Sequence, residues 1–159
     1  MASAKQIGEF FIFMKDIKDM QTKYKSIYGE DGISQEQIQY IESKLAVILP
    51  PDFKCIAGFF NGGDLCSIDN YAFYNNINNY NIVDETLLLR NSINLPKKFI
   101  VLAEPPESII VMDTLCKPSI IWCDSYDVEN LSNIQLLNNP CLWDSYADFF
   151  WDMLEDLVD

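Results

Sequence analysis

The stretch from Ile33 to Gly63, ISQEQIQYIESKLAVILPPDFKCIAGFFNGG, carries the clearest structural signals in the chain. Ser34 and Gln37 form a Ser-x-x-Gln capping box, which predicts a helix that begins just after Ser34. Apolar residues then recur at spacings of three and four, a pattern typical of one buried helical face. The residues of that face are Ile38, Ile41, Leu45 and Ile48.

Two prolines end this helix and start another. Leu49 precedes Pro50, and the residue before a proline is pushed out of the helical region, so we expect a bend here. Pro51 has no amide hydrogen to satisfy and suits the first turn of a new helix. The second helix is predicted from Pro51 to Phe60, and it ends at Asn61-Gly62-Gly63, residues that tolerate positive φ. Its expected buried residues are Phe53, Ile56, Ala57 and Phe60.

Apolar periodicity predicts three further helices. The first runs from Lys5 to Tyr24, the second from Ile82 to Arg90, and the third follows a cap at Ser145. The apolar stripe of the first consists of Ile7, Phe10, Phe11, Met14, Ile17 and Met20. That of the last consists of Tyr146, Phe149, Phe150, Met153, Leu154 and Leu157.

Short runs rich in isoleucine and valine predict strands after residue 98. They are Phe99 to Ala103, Ser108 to Asp113 and Ser119 to Cys123. No helix separates them, so we expect an antiparallel meander. Two more short strands, Leu65 to Ile68 and Tyr71 to Tyr74, are expected around a turn at Asp69-Asn70. The predicted class is α+β: a mainly antiparallel sheet with N-terminal and C-terminal helices packed against it.

The central stretch resembles the SUKH superfamily of bacterial immunity proteins and yeast cell-wall assembly regulators. Ala46 departs from the family's usual glycine, and Phe59 stands where a polar residue is commoner. The Leu95-Pro96 lead-in, the strand ending in Met112-Asp113 and the aromatic closing helix are also similar. The matching motif residues are Ile38, Ile41, Glu42, Leu45, Leu49, Pro50, Asp52, Phe53, Lys54, Phe60, Asn61, Gly62 and Gly63. The resemblance implies a SUKH-like fold and a non-catalytic binding role.

Length and composition bound the class of protein. With 159 residues and 49% hydrophobic content, we expect one domain over 1–159. Apolar runs of five or six residues are far too short to span a bilayer, and the N-terminus lacks a signal-peptide core, so a cytoplasmic protein is expected. The five cysteines include no Cys-x-x-Cys pair and are expected to be reduced and mostly buried.

The absence of histidine argues against catalysis and metal binding. It removes Ser-His-Asp and Cys-His nucleophiles, a histidine base and histidine metal ligands. A pair of carboxylates could still catalyse a reaction, but such a pair cannot be selected from 24 acids without geometry. We therefore expect no enzyme, no cofactor and no metal.

Negative charge is concentrated in the last part of the chain. The net charge is −13, and residues 99–159 contain 12 acids and the single base Lys117. This excess keeps small proteins dispersed, but it also suits a basic protein partner. Nucleic acid itself would be repelled. The candidate partner-binding residues are Asp124, Tyr126, Asp127, Glu129, Asp148, Trp151, Asp152, Glu155 and Asp156. Trp143 and Trp151 could equally belong to the core.

Three functions follow from these observations. The resemblance implies an immunity protein that neutralises a cognate toxin by binding, with a nuclease-type toxin suited to an acidic inhibitor. The alternative is an intracellular regulatory or scaffold domain with endogenous partners, as in the eukaryotic branch. A histidine-free enzyme using paired carboxylates is the third. The sequence does not indicate the oligomeric state.

Overall fold

The structure is a computed structural model that describes residues 2–77, 79–132 and 136–155; the side chains of residues 10–15 are outside the description. Within these residues there are five α-helices: α1 (Ala4–Tyr28), α2 (Gln35–Leu45), α3 (Pro51–Ala57), α4 (Ile82–Ile93) and α5 (Tyr146–Glu155). The strands described are β1 (Gly63–Leu65), β2 (Ile68–Asn70), β3 (Phe99–Ala103), β4 (Ser108–Asp113), β5 (Ile120–Asp124) and β6 (Cys141–Trp143). A 3₁₀ helix covers Ser125–Asn130.

The described strands form one antiparallel sheet in the order β1-β2-β3-β4-β5-β6, which confirms the α+β class and the meander. β3, β4 and β5 pair with their sequence neighbours because the connections after β3 and β4 are short turns. The prediction was incomplete at the sheet edge. β6 lies just before the predicted C-terminal helix, where no strand was predicted, and its three residues are too few to show a period.

The start of α2 is as predicted, but its end is not. The Ser34 hydroxyl accepts the amide of Gln37, and the Gln37 side chain accepts the amide of Ser34, which completes the capping box. Ile38, Ile41 and Leu45 are buried. The prediction that Ile48 shares this face is wrong, because Ala46 adopts a left-handed conformation (φ 54°) and ends the helix. Ile48 is 79% exposed.

Two other boundaries differ from expectation. α3 ends at Ala57, although Phe59 and Phe60 remain buried in the turns that follow. The β1-β2 hairpin turns at Cys66 and Ser67, not at Asp69-Asn70, so the predicted strand from Leu65 to Ile68 contains the turn, and the predicted strand from Tyr71 to Tyr74 is wrong. Both residues have positive φ (54° and 59°), as two-residue hairpin turns require. Cysteine and serine are not residue types that predict positive φ, so the sequence did not indicate this turn.

The sheet separates two apolar clusters because side chains alternate along its strands. On one face Ile100, Leu102, Ile110, Met112 and Ile120 pack with residues of α1, α2, α3 and α5. On the other face lie Phe99, Val101, Ile109, Val111 and Cys123, with Leu95. Val128, Leu131 and Leu136 of the segment after β5 cover this second face. α5 and the 3₁₀ segment therefore lie on opposite faces of the sheet.

Three polar motif residues stabilise the corner formed by α2 and α3 through hydrogen bonds and an ion pair. A Glu42 oxygen accepts the Leu49 amide at 2.7 Å and pairs with the Lys54 ammonium at 3.1 Å. Asp52 accepts the amide of Ala147 at 2.9 Å, which ties α3 to the first turn of α5. Asn61 accepts the amides of Phe73 and Tyr74 at 2.9 and 3.0 Å. These contacts give each motif residue a structural role.

Gly62 is required where the chain leaves this corner. Its φ is +77°, and a Cβ placed on it would lie 2.2 Å from the carbonyl oxygen of Tyr71. Both the conformation and the close backbone approach exclude a larger residue.

None of the helices in the described part of the chain has the length and apolar character of a membrane span.

Candidate functional site

An open groove of about 460 Å³ lies between α1 and α5. Its lining combines four aspartates with one aromatic and one thioether side chain: Asp16, Asp19, Met20, Asp148, Trp151 and Asp152. The two helices also meet below the groove, where the rings of Tyr24 and Phe150 are 6.1 Å apart. The groove is thus the outer edge of a packed helix pair.

Helical periodicity explains why the aspartates are exposed. On α1, Asp16 and Asp19 alternate with Ile17 and Met20, which are buried. On α5, Asp148 and Asp152 are four residues apart and therefore lie on one face. That arrangement leaves the four carboxylates at the surface, around one groove.

Trp151 is half-buried, so it belongs neither wholly to the core nor wholly to the surface. The ammonium of Lys23 lies over its ring, 5.1 Å from the centroid. Trp143 is also half-buried; its indole N–H donates to Asp152 at 2.7 Å and its ring packs edge-on against Phe149. Trp151 therefore belongs to the lining of the groove, and Trp143 lies next to that lining through its bond to Asp152.

Asp127 was predicted to lie on the acidic surface, and that placement is wrong. Its side chain is fully buried on the other face of the sheet. It accepts the amides of Leu137 at 2.8 Å and Asn138 at 3.1 Å, together with the Asn130 side chain at 3.3 Å. The Leu137 amide above all holds the Asp127 pKa below its ordinary value, against the effect of desolvation. Asp127 organises the loop and is not available to a partner.

The other predicted partner-binding residues are divided between the two faces. Tyr126 and Glu129 are exposed in the 3₁₀ segment, and Asp124 accepts the side-chain amide of Asn138. Asp148, Asp152 and Glu155 are exposed on α5. Asp156 and Leu157 lie outside the described residues. The predicted loop and helix acids therefore do not form one surface.

Sequence reasoning missed Asp16 and Asp19. They belong to a helix whose polar face carries both charge signs, so nothing in the local sequence marks them as part of an acidic site. The pairing of α1 with α5 brings them to Asp148 and Asp152. Phe59 supports the pairing of α1 with α5, since its buried ring packs against the rings of both Tyr24 and Phe150, with centroids 5.8 Å apart in each pair.

The cysteines are less buried than expected. Cys123 is buried, Cys55 and Cys66 are half-buried, and Cys116 and Cys141 are exposed. Burial raises the pKa of the Cys123 thiol to about 11, which keeps it protonated and unreactive near neutral pH. No group of three or more cysteine, aspartate or glutamate side chains suited to a metal ion occurs among the described residues.

Comparison with known proteins identifies the family. The family model SUKH_5, described as SMI1-KNR4 cell-wall, matches residues 14–136. A search of curated proteins found no match. The matched span includes α2, α3 and the sheet from β1 to β5, and it stops before β6 and α5. Because the match covers more than half of the chain, the protein belongs to the SUKH_5 family of SMI1-KNR4 proteins.

Proposed function

We propose that the protein is an immunity protein, which binds a cognate toxin and neutralises it by stoichiometric association without catalysis. The toxin is a basic protein of the nuclease type. Family membership supports a binding role of this kind. The observation that carries the proposal is the groove between α1 and α5, which four exposed aspartates and the half-buried Trp151 line together.

The charges and the aromatic surface contribute differently to such a complex: the charges speed its formation, and the aromatic surface stabilises it once formed. The aspartates and the net charge of −13 attract a cationic protein and raise its association rate, by roughly 10- to 10³-fold at low salt. Trp151 offers apolar area in the lining of the charged groove, as interface hot spots often do. A nuclease that binds nucleic acid presents the positive surface that this groove complements.

The geometry favours binding over catalysis. A pair of catalytic carboxylates needs two different environments, with at least one group desolvated so that it can hold a proton. All four groove aspartates are exposed instead. The groove therefore resembles a docking surface more than an acid-base site.

An immunity gene is expected beside the gene of its toxin, and co-expression with the toxin domain found there tests the assignment. The expected result is restored growth of a host that the toxin alone kills, together with a complex of fixed stoichiometry. Failure of both, with a soluble protein present, would remove the immunity assignment. If growth is restored, the double variant Asp19→Lys and Asp148→Lys tests the groove.

The matched control is Asp64→Lys with Asp69→Lys, on the exposed side of the β1-β2 hairpin. Both double variants change the net charge equally. The groove variant should slow association at least about 10-fold at low salt, and the hairpin variant should have a much smaller effect. Equal effects of the two variants would mean that overall charge, and not this groove, attracts the toxin.

A regulatory or scaffold domain with endogenous partners is the second candidate. The description of the matching family, which names the cell wall, favours it. Under this alternative the gene has no neighbouring toxin gene, and its deletion changes cell-wall sensitivity instead of toxin resistance. The two deletion phenotypes separate the candidates.

A further inference from the structure

A second groove, of about 540 Å³, lies at the corner between α2 and α3. One wall is the bend itself, residues 46–51. The other wall is formed by Lys97 and Lys98 before β3 and by Thr114 and Leu115 after β4. This groove shares no lining residue with the one between α1 and α5.

Hydrogen bonds brace the groove from behind. The Arg90 guanidinium donates to the carbonyl of Leu45, the last residue of α2 before the bend, at 2.8 Å and to that of Lys97, in the other wall, at 2.7 Å. The Thr114 hydroxyl donates to the Lys98 carbonyl at 2.8 Å. A surface fixed in this way loses little entropy when a ligand binds.

Large aliphatic side chains project from both walls. Ile48 is 79% exposed and Leu115 is 78% exposed. Pro50 and Pro51 line the same groove. Single exposed aliphatics are common on protein surfaces, but two that line one rigid groove form an apolar patch of the kind that contacts partners.

The one charge in this groove without an ion-pair partner among the described residues is positive, although the chain as a whole is strongly negative. Glu42 is neutralised by Lys54 at 3.1 Å, and Lys98 is neutralised by Asp113 at 2.9 Å. Lys97 is exposed, and no carboxylate among the described residues pairs with its ammonium group. A ligand carboxylate would therefore meet an unpaired cation beside an apolar surface.

We propose that this corner groove binds a short segment of a partner protein that presents an aliphatic side chain to Ile48 and Leu115 and a carboxylate to Lys97. The segment differs in charge from the basic partner proposed for the other groove. The protein therefore has two interaction surfaces of opposite preference, and this second surface does not depend on the immunity assignment.

Titration of the full chain with two capped peptides tests the proposal. The acidic probe is acetyl-Gly-Leu-Glu-Leu-Glu-Gly-amide, and its counterpart has both glutamates replaced by lysine. NMR signals of the Ile48 and Leu115 methyl groups should shift saturably with the acidic peptide, and the lysine peptide should bind at least about 10-fold more weakly. Lys97→Ala should reduce the affinity of the acidic peptide about 2- to 5-fold, as expected for an exposed ion pair.

Ile48→Ser and Leu115→Ser should each abolish the saturable shift without affecting folding, because both side chains are exposed. The control Leu137→Ser removes an equally exposed leucine (77%) elsewhere and should leave binding unchanged. The proposal is overturned if neither peptide shifts the Ile48 and Leu115 signals at millimolar concentration, if both peptides shift these signals with equal affinity, or if the signals shifted by the acidic peptide lie outside this groove.

Discussion

The corner at residues 33–63 and the groove between α1 and α5 use carboxylates in opposite ways. In the corner, Glu42 and Asp52 point inward and accept backbone amides at 2.7 to 2.9 Å. In the groove, Asp16, Asp19 and Asp148 are exposed. The difference teaches that the residue type alone does not assign a role, whereas burial of the carboxylate against backbone amide donors does. Inward carboxylates should determine stability, and outward carboxylates should determine association.

The largest loss of stability is expected from Gly62→Ala at the end of the corner. The new Cβ would lie 2.2 Å from the Tyr71 carbonyl oxygen at a φ of +77°, so the backbone must move. We expect the free energy of unfolding to fall by about 3 kcal/mol or more, measured by urea denaturation.

The control is Gly8→Ala in α1, where an added Cβ meets nothing within 4 Å. It should raise stability by about 0.5 to 1 kcal/mol, because alanine favours helix more than glycine does. If Gly62→Ala is no more harmful than Gly8→Ala, the corner is not the rigid element described here.

Asp52→Ala should have the next largest effect. The substitution leaves the amides of Ala147 and Phe53 without their acceptor, and it removes a negative charge that lies against the first turn of α5. Because Asp52 is only 8% exposed, water replaces the carboxylate poorly. The expected loss is about 2 kcal/mol in urea denaturation.

Asp52→Asn keeps the shape and one acceptor, so it should lose less than Asp52→Ala. A loss below about 0.5 kcal/mol for the alanine variant would contradict a structural role for this carboxylate.

The same contrast explains what the sequence could predict. Local signals worked where one segment satisfies its own bonds, as in the Ser34-Gln37 box and the Ser145 cap, whose hydroxyl accepts the Asp148 amide. They failed at Ile48, because nothing in a periodic pattern shows that Ala46 takes a left-handed conformation. The apolar spacing continues past Leu45, so it does not reveal that the helix ends there.

The groove was predictable only in part. Asp148, Trp151 and Asp152 follow from their position on α5, but Asp16 and Asp19 join them through tertiary packing of two helices far apart in the sequence. Asp127 was misplaced for a related reason. Its amide donors come from residues 137 and 138, ten and eleven positions away, so its burial depends on how the loop closes.

Asp127→Asn should reduce stability by less than Asp52→Ala, and the loss should depend on pH. The folded-state pKa of Asp127 lies below its ordinary value, so its contribution is fully present above the unfolded pKa of about 4. That contribution disappears as the pH falls through the folded value. Urea denaturation should therefore show a constant difference from the wild type between pH 7 and 5, which narrows below about pH 4.

Glu129→Gln is the control in the same segment, because Glu129 is exposed. Its free energy of unfolding should be close to that of the wild type both at pH 7 and below pH 4. A difference for Asp127→Asn that stays constant down to pH 3 would show that the shape of the side chain, and not its ionised form, supports the loop.

The smallest effect is expected from Asp16→Asn combined with Asp19→Asn in the groove. Both carboxylates are exposed, so their loss should change the free energy of unfolding by no more than about 0.5 kcal/mol. The sign should be a small gain at low salt, because four aspartates around one groove repel one another, and 1 M salt should remove it since the screening length falls to about 3 Å. Urea denaturation at both salt concentrations measures this. A loss of more than about 1 kcal/mol would place these aspartates with the inward carboxylates of the corner, and the division between stability and association would fail at this groove.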